Sequence, residues 1–495
     1  MIVKSAPGES RTGSVLFVEL GSEREFQPIV DIVRKLMPGF HVLGIRPVGS
    51  QVNSVYDEII ADEANLLRGN LRCRDGRNQF VRPELFVTLS DFIGRTFRTA
   101  GKISGRVRSS ADSYSMILRH FLHLSSFWDN AISNNGIRAV VFKNPPHVFW
   151  DTSLYSVCKA LKIPTLFFHS VPPFEDATYV YDDINQLGSI EFSRQIIEAA
   201  DLNYILRPES ALRAQKMQVQ LSSSSIGMKL LSAQMENALS KQRILNLLRR
   251  RSGKSKALFK AIETRVLHLK YEYHRRKFQS EEALPEEYVL LELQPENNAT
   301  TTIKGHMYGS QIEMISHVAN SLPLGFKLVV KENIRQVKRL SNRQKHFWSD
   351  VAKVPRVHLC GDEVENEYLV DRCRAVIELG YSSLAMKSAM SGVPVVVLGL
   401  THLKGISNIW TVSPEESLDS VLDSILNKDR SEIHMSQIDI EDSLTKWLLR
   451  TRESTLDGNL TRFRSSNDEE DKNLQSFNWN VAAVVATWLS LVVLN

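Results

Sequence analysis

At 495 residues, the chain has room for two to four domains. With 43% hydrophobic and 24% charged residues it has a globular composition and can bury a large core. The net charge of +5 excludes a generally basic protein, but Lys241–Lys277 carries thirteen Lys/Arg against two Glu, a local +11 that leaves −6 (5 − 11) for the rest. The four cysteines (Cys73, Cys158, Cys360 and Cys373) contain no CxxC pair, so buried reduced thiols of a cytosolic protein are expected rather than zinc or disulfides.

The chain opens on "MIVKSAPGESRTGS", which has no apolar core of a secretion signal. "SVLFVEL" (Ser14–Leu20) reads as a strand, followed by an amphipathic helix closed by Pro38-Gly39 and a strand at Phe40–Ile45. After a less clear helical stretch come a strand at Arg138–Asn144, a helix at Asp151–Ile163 with Asp151 as N-cap, and strands at Pro164–Ser170 and Asn203–Pro208. From about 209 to 286 strand signals vanish, and a Gln-, Ser-, Leu- and Lys/Arg-rich segment reads as helices. Alternation restarts with strands at Tyr288–Gln294, Phe326–Lys331, Val357–Cys360, Ala375–Leu379 and Pro394–Leu398. Helices fall between them at about Tyr308–Ser321, Arg335–Val351, Glu363–Arg372 and Ser383–Ser391, with Ser383 as N-cap of the last. "PEESLDSVLDSIL" and "DIEDSLTKWLLRTRE" read as two further helices, followed by a charged linker at Arg464–Asn473.

The closing run "VAAVVATWLSLVVL" (Val481–Leu494) falls short of the roughly 20 residues that span a bilayer. It reads as a helix docked on a domain, with a hydrophobic surface anchor as the alternative.

This alternation predicts an α/β protein with two Rossmann-like, doubly wound parallel-sheet domains and a helical connector. The expected parts are residues 1–208 (acceptor domain), 209–286 (basic connector), 287–430 (donor-binding domain) and 431–495 (C-terminal helices, linker and tail). Two such sheets with facing carboxyl edges would form a cleft for a donor and an acceptor.

No Walker, GxGxxG, HExxH, GxSxG or EF-hand motif is present, which removes several enzyme classes. What remains is five polar clusters at predicted strand ends. In "FKNPPHVFWDTSLY", the two prolines force an extended turn that places His147 and Asp151 after a strand, as an acid/base pair or as a loop residue and a plain helix cap. In "FFHSVPPFEDATYVYDDI", His169 ends a strand, and Glu175, Asp176, Asp182 and Asp183 follow in a loop, where carboxylates can serve as general bases. In "LELQPENNATTT", an apolar strand ends on Gln294-Pro295-Glu296. In "KLVVKEN", Lys331 and Glu332 end a strand, and the lysine can neutralise a phosphate or be a solvated strand end. In "ELGYSSLAMKSAMSGVPVVVLG", Gly380, Ser382 and Ser383 open a helix whose N–H groups and hydroxyls make an anion site.

In order and spacing, "NPPHVFWDTSLYSVCKALKIPTLFF", "YVLLELQPENN", "GSQIEMISHVANSLPLGFKLVVKEN" and "SSLAMKSAMSGVPVVVLG" resemble the bacterial capsule polysaccharide biosynthesis proteins, surface-carbohydrate glycosyltransferases of GT-B-like fold that include Kdo transferases. The resemblance covers about 138–184 and 288–399. It implies transfer of a sugar from a nucleotide-activated donor, CMP-Kdo among them, to a surface glycan or its lipid-linked primer. It implies no metal and no cofactor beyond the nucleotide sugar. Lys331, Ser382 and Ser383 then match donor-phosphate ligands, Gln294 and Glu296 residues near the transferred sugar, and Asp151 and His147 the acceptor side. Two positions depart from the family pattern: Lys331-Glu332-Asn333-Ile334 lacks the family's His-Pro pair, and Lys387 stands where a ribose-binding glutamate is common.

The basic segment Lys241–Lys277 fits an anionic membrane surface, at roughly 1 kcal/mol per residue, and equally a solvated helical face; nucleic acid is not expected, since no binding motif accompanies the charge. The expected location is cytoplasmic, with peripheral membrane contact through that segment and the apolar tail. Two alternatives stay open: a nucleotide-sugar epimerase or related enzyme of the same fold, and a non-catalytic assembly protein that kept the fold.

Overall fold

In a computed structural model the described residues are 13–18, 38–46, 56–68, 110–146, 148–171, 174–184, 284–295, 310–333, 346–361, 364–412, 417–429, 437–448 and 452–453, with single positions between and beyond them. The strand expected at Asn203–Pro208, the basic segment Lys241–Lys277 and the linker Arg464–Asn473 lie outside them, as do His147 and Glu296. The chain divides into two compact units: Met1–Arg207 with Leu449–Asn495, and Pro208–Leu448.

The first unit carries a sheet of β1 (Gly13–Val18), β2 (Phe40–Arg46), β3 (Glu58–Asp62), β4 (Ile137–Phe142), β5 (Thr165–Val171), β6 (Phe174–Tyr181) and β13 (Arg452–Glu453). Their order is β13-β6-β5-β4-β1-β2-β3. Strands β1 to β5 pair in parallel, as the βαβ pattern predicts. The sheet then departs from an all-parallel one: β6 returns antiparallel on β5, and β13 joins antiparallel on β6. Glu175 and Asp176, expected in a loop, therefore lie within a strand.

Helix α1 (Glu63–Arg68) follows β3, α2 (Ser110–Asn134) precedes β4, and α3 (Phe149–Ala160) follows it. α2 and α3 are locked through buried groups: Trp128 Nε1 donates to the Trp150 carbonyl at 3.2 Å, and the Ser125 and Ser153 hydroxyls meet at 3.1 Å.

The core of this unit joins Val15, Phe17, Val42, Ala139, Val141, Leu166 and Phe168 from the strands to Val485, Trp488 and Leu489 from the apolar tail. Those three tail residues are helical and at most 1% exposed, so their side chains pack in the protein and are not offered to a lipid surface. No described helix is long and apolar enough to cross a membrane.

The second unit carries β7 (Tyr288–Glu292), β8 (Lys327–Lys331), β9 (Val357–Cys360), β10 (Ala375–Leu379), β11 (Val395–Leu398) and β12 (Ile409–Thr411). Every pairing is parallel and the order is β12-β11-β10-β7-β8-β9. Counted within the unit this is 6-5-4-1-2-3, the doubly wound order, and the chain changes direction across the sheet between β10 and β7. The strands are near-continuous Val/Ile/Leu runs because both faces are covered. On one face lie α4 (Gln311–Ser321), α5 (Phe347–Val351) and α8 (Leu418–Leu426), through Met314, Ile315, Val318, Val351, Leu422 and Ile425. The helices α6 (Asn366–Arg372), α7 (Ser383–Met390) and α9 (Gln437–Leu448) complete the described set. Cys158, Cys360 and Cys373 are buried, as expected of reduced thiols; Cys73 is outside the described residues.

Removing the Trp488 ring from a site 1% exposed is expected to cost about 3–5 kcal/mol. Urea unfolding of Trp488→Ala should show the first unit melting early; an unchanged midpoint would mean that the tail is no part of that core.

Candidate functional site

In a doubly wound sheet, ligands bind at the carboxyl edge where the strand order reverses. In the second unit that edge is occupied by a buried polar network, built from one residue group per strand.

β7 ends on Glu292, 7% exposed, and Gln294, 3% exposed, follows after one residue. The Gln311 side chain, the first residue of α4, clasps the Gln294 backbone from both sides: its Oε1 accepts the Gln294 N–H and its Nε2 donates to the Gln294 carbonyl, each at 2.9 Å. Two backbone groups at the end of the strand are thus satisfied without a further strand partner. The Gln294 side chain crosses the strand-order switch, and its Nε2 donates to Glu378 Oε2 at 2.9 Å.

Glu378 lies inside β10, fully buried. Its other oxygen, Oε1, shares a short hydrogen bond of 2.5 Å with Ser382 Oγ. Ser382, rather than the expected Ser383, is the N-cap of α7: it has extended backbone and its Oγ accepts the Ala385 N–H at 3.0 Å. Ser383 is the first helical residue and is exposed. The turn between strand and helix passes through Gly380 at φ +73°, a left-handed conformation that favours glycine, with its N–H bonded to the Leu398 carbonyl at 2.8 Å.

Beside β7, β8 ends on Lys331, 7% exposed, followed by Glu332, 2% exposed. The register sets Lys331 opposite Glu292. The Lys331 ammonium donates to the Val364 carbonyl and, at 2.7 Å, to Asn366 Oδ1 at the start of α6. Asn366 Nδ2 in turn donates to Glu292 Oε1 at 3.4 Å. Lys331 is thus a tie between β8 and the α6 entry, which is not the solvated strand end that is one reading of its position. Glu332 Oε1 accepts the Asn333 N–H at 2.8 Å.

Among the described residues, the buried ionisable groups of this edge are Glu292, Glu332, Glu378 and Lys331. Burial, with the neighbouring Glu292 charge second, raises the Glu378 carboxyl well above the ordinary glutamic-acid range; the bonds from Ser382 and Gln294 oppose this. Lys387 points to α6, 3.6 Å from the exposed Glu367, a pair worth at most about 1 kcal/mol.

The structure brings Gln294, Lys331, Glu332, Gly380, Ser382 and Ser383 to one edge. Glu292, Gln311, Asn366 and Glu378 belong to the same network and are missing from the sequence-derived set. Glu292 and Glu378 carry a signal: each is a lone carboxyl in an otherwise apolar strand buried on both faces. Gln311 and Asn366 carry none, since their partners are distant in sequence.

In the first unit, Asp151 is fully buried at the third position of α3, not at its N-cap. Val148 is the N-cap and has no side-chain acceptor; Asp151 Oδ1 accepts the Val148 N–H at 2.9 Å and holds the helix start. His169, in β5, is in register with Tyr179 of β6. Glu175 and Asp176 begin β6, near the carboxyl end of β5, where Val171 pairs with Phe174.

The antiparallel return carries Asp182 and Asp183 to the opposite, amino end of β5, where Thr165 Oγ1 donates to the Asp182 carbonyl at 2.9 Å. Asp183 accepts Lys159 Nζ at 2.6 Å and Tyr155 Oη at 3.3 Å. Burial raises the Asp182 carboxyl. A cavity of about 300 Å³ opens there, at the amino end of β5, lined by Lys159, Lys162, Thr165, Asp182 and Trp488 among others.

No family model and no curated protein matches the chain. Solved structures similar to it include a glycosyltransferase from Rickettsia africae (13% identity, 92% of this chain, 99% of that chain, TM-score 0.26). Others are Anabaena HepE in complex with UDP-glucose (11%, 96% and 99%, TM-score 0.27) and the UDP-GlcNAc 2-epimerase of Methanocaldococcus jannaschii (11%, 88% and 98%, TM-score 0.23). At these TM-scores the likeness carries no argument, and the fold rests on the chain's own two parallel α/β sheets.

Because native Glu378 keeps its proton at pH values where the unfolded chain has lost it, the native state binds more protons there and stability falls as pH rises. The contribution is complete below the ordinary glutamic-acid range and is lost as pH passes the raised folded value. Denaturant melts at several pH values should show this slope in the second unit, and Glu378→Gln should flatten it. Separately, Gln311→Ala strips both partners from the buried Gln294 backbone and is expected to cost about 1–3 kcal/mol per unsatisfied group.

Proposed function

We propose that the protein is a glycosyltransferase that binds a nucleotide sugar at the strand-order switch of its second unit and passes the sugar to a surface glycan or its lipid-linked primer. One observation carries this reading: the satisfied polar network that joins the ends of β7, β8 and β10 to the starts of α4, α6 and α7 at the edge where doubly wound sheets take nucleotides. A network with its partners in place holds the Gln294 loop and the α7 N-terminus ready, so little ordering is left to ligand binding.

In this reading Ser382, Ser383 and the N–H groups that follow Gly380 receive the donor phosphates, with Gln294 and Glu296 beside the transferred sugar. Lys331 and Glu332 fix the adjoining loop, and Lys387 stands at the outer end of the same helix. Asp151, His147, His169, Glu175 and Asp176 belong to the acceptor side in the first unit. The donor class includes CMP-Kdo, the setting is capsule or other surface polysaccharide synthesis, and neither a metal nor a further cofactor takes part. The enzyme works in the cytoplasm, with Lys241–Lys277 as its contact to anionic membrane.

A thermal-shift screen against CMP-, UDP-, GDP- and dTDP-linked sugars tests the reading. A donor at 100 times its Kd should stabilise the second unit by about 2.7 kcal/mol, and Ser382→Ala should remove most of that shift. No shift with any donor would leave the non-catalytic assembly reading in its place. Donor turnover without an acceptor would assign the site to an epimerase.

A further inference from the structure

Resting on that reading, the further inference concerns one hydrogen atom. Ser382 Oγ has one hydrogen to give and two lone pairs. One lone pair accepts the Ala385 N–H, and the oxygen lies 2.5 Å from Glu378 Oε1. If Glu378 is ionised, both of its oxygens accept, and the Ser382 hydrogen is spent inside the protein. If Glu378 is a neutral acid, its own hydrogen fills the same short contact, and the Ser382 hydrogen is released to point outward from a half-buried position at the helix start.

We propose that Glu378 is a positioning residue that acts as a neutral acid: it donates to Ser382 Oγ, holds Gln294 through its other oxygen, and so turns the Ser382 hydroxyl into a donor for a phosphate oxygen of the bound nucleotide. The surroundings select the neutral form. Glu378 is fully buried, and no described residue forms an ion pair with it. Among the described residues, the charged or titratable groups on the elements about it are Glu292 on β7, Lys331 and Glu332 on β8, Lys387 on α7 with its Glu367 partner on α6, and Tyr381, against which His402 lies tilted with ring centroids 4.7 Å apart. The hydrogen bonds of the Lys331 ammonium run to Val364 and Asn366, and the carboxyl neighbour Glu292 disfavours a second charge. The raised Glu378 proton affinity agrees with this arrangement. A neutral Glu378 also removes one negative charge from the place where a diphosphate would sit.

Two measurements on the full chain test the proposal. In infrared difference spectra of the unliganded protein at neutral pH, wild type minus Glu378→Gln should contain a protonated-carboxyl band; its absence overturns the neutral acid. Calorimetric titrations with UDP, CMP and inorganic pyrophosphate from neutral to alkaline pH should then show wild-type affinity falling as Glu378 ionises, by up to about tenfold per pH unit for one linked proton. The part of the dependence due to Glu378 should vanish in Glu378→Gln, leaving only the probes' own ionisation, which is common to both proteins. Ser382→Ala should weaken binding on the order of tenfold or more and lose the same dependence. A wild-type pH slope retained in Glu378→Gln overturns the link to Ser382. If no probe binds at any pH, the phosphate half falls together with the nucleotide-sugar reading, while the infrared band, which needs no ligand, still decides the proton half.

Discussion

The bridge from Gln294 through Glu378 to Ser382 spans the one place in the second sheet where neighbouring strands are far apart in sequence. β7 is the first described strand of the unit and β10 the fourth, and their backbones pair over Ala375–Ile377 against Val289–Leu291. Beyond that register the two chains part, one toward Gln294 and the other toward α7. Without a side-chain link there, the loop after β7 and the start of α7 would each find their own position. Glu378 ties both, and Gln311 fixes the loop from behind, so the geometry of the edge follows from a few buried bonds.

The same logic accounts for Lys331. A lysine at the end of a parallel strand reads as a charge waiting for a phosphate, and in the structure its ammonium closes the gap between β8 and α6. Burying an ammonium is costly unless its donors are taken up, and a carbonyl with an amide oxygen takes them up while Asn366 relays to Glu292. One set of bonds thus joins β8 to β7 through Asn366, another joins β7 to β10 through Gln294 and Glu378, and three helix starts are attached to them. Their rigidity is collective, since loss of one member leaves buried partners unsatisfied.

Much of this fold is legible in the sequence because buried parallel strands are written as continuous apolar runs. Val357–Cys360 and Ala375–Leu379 have the bounds read from the sequence, and the other strands of the second sheet that were read there differ by one or two residues. The elements that escape have weaker patterns. "FEDATYVY" mixes acids with β-formers and pairs antiparallel, and "EIIAD" is half-exposed throughout. At the site, Gln294, Lys331, Gly380 and Ser382 stand out because they interrupt a run. Glu378 hides within one, and a carboxyl enclosed by Val, Ile and Leu on both faces is a stronger sign of function or strain than any exposed acid. Asp151 shows the limit in the other direction: a conspicuous acid near a strand end whose visible work is to cap a helix that starts on valine.

The charge balance of the edge narrows what kind of chemistry can happen there. Glu292, Glu332 and Glu378 share this edge with Lys331, whose ammonium bonds to protein oxygens, and Lys387 on the helix beyond pairs with Glu367, so among the described residues an anionic ligand meets no unengaged basic clamp. What the edge offers instead are neutral donors: the Ser382 and Ser383 hydroxyls and the first N–H groups of α7. Neutral donors hold an anion without the cost of burying a compensating cation, but their strength depends on keeping nearby carboxyls uncharged. The protonation of Glu378 thus governs whether the start of α7 is attractive or repulsive to phosphate. A fully buried acid beside a helix start, with a second carboxyl on the next strand to raise its proton affinity, is the arrangement that favours the attractive form.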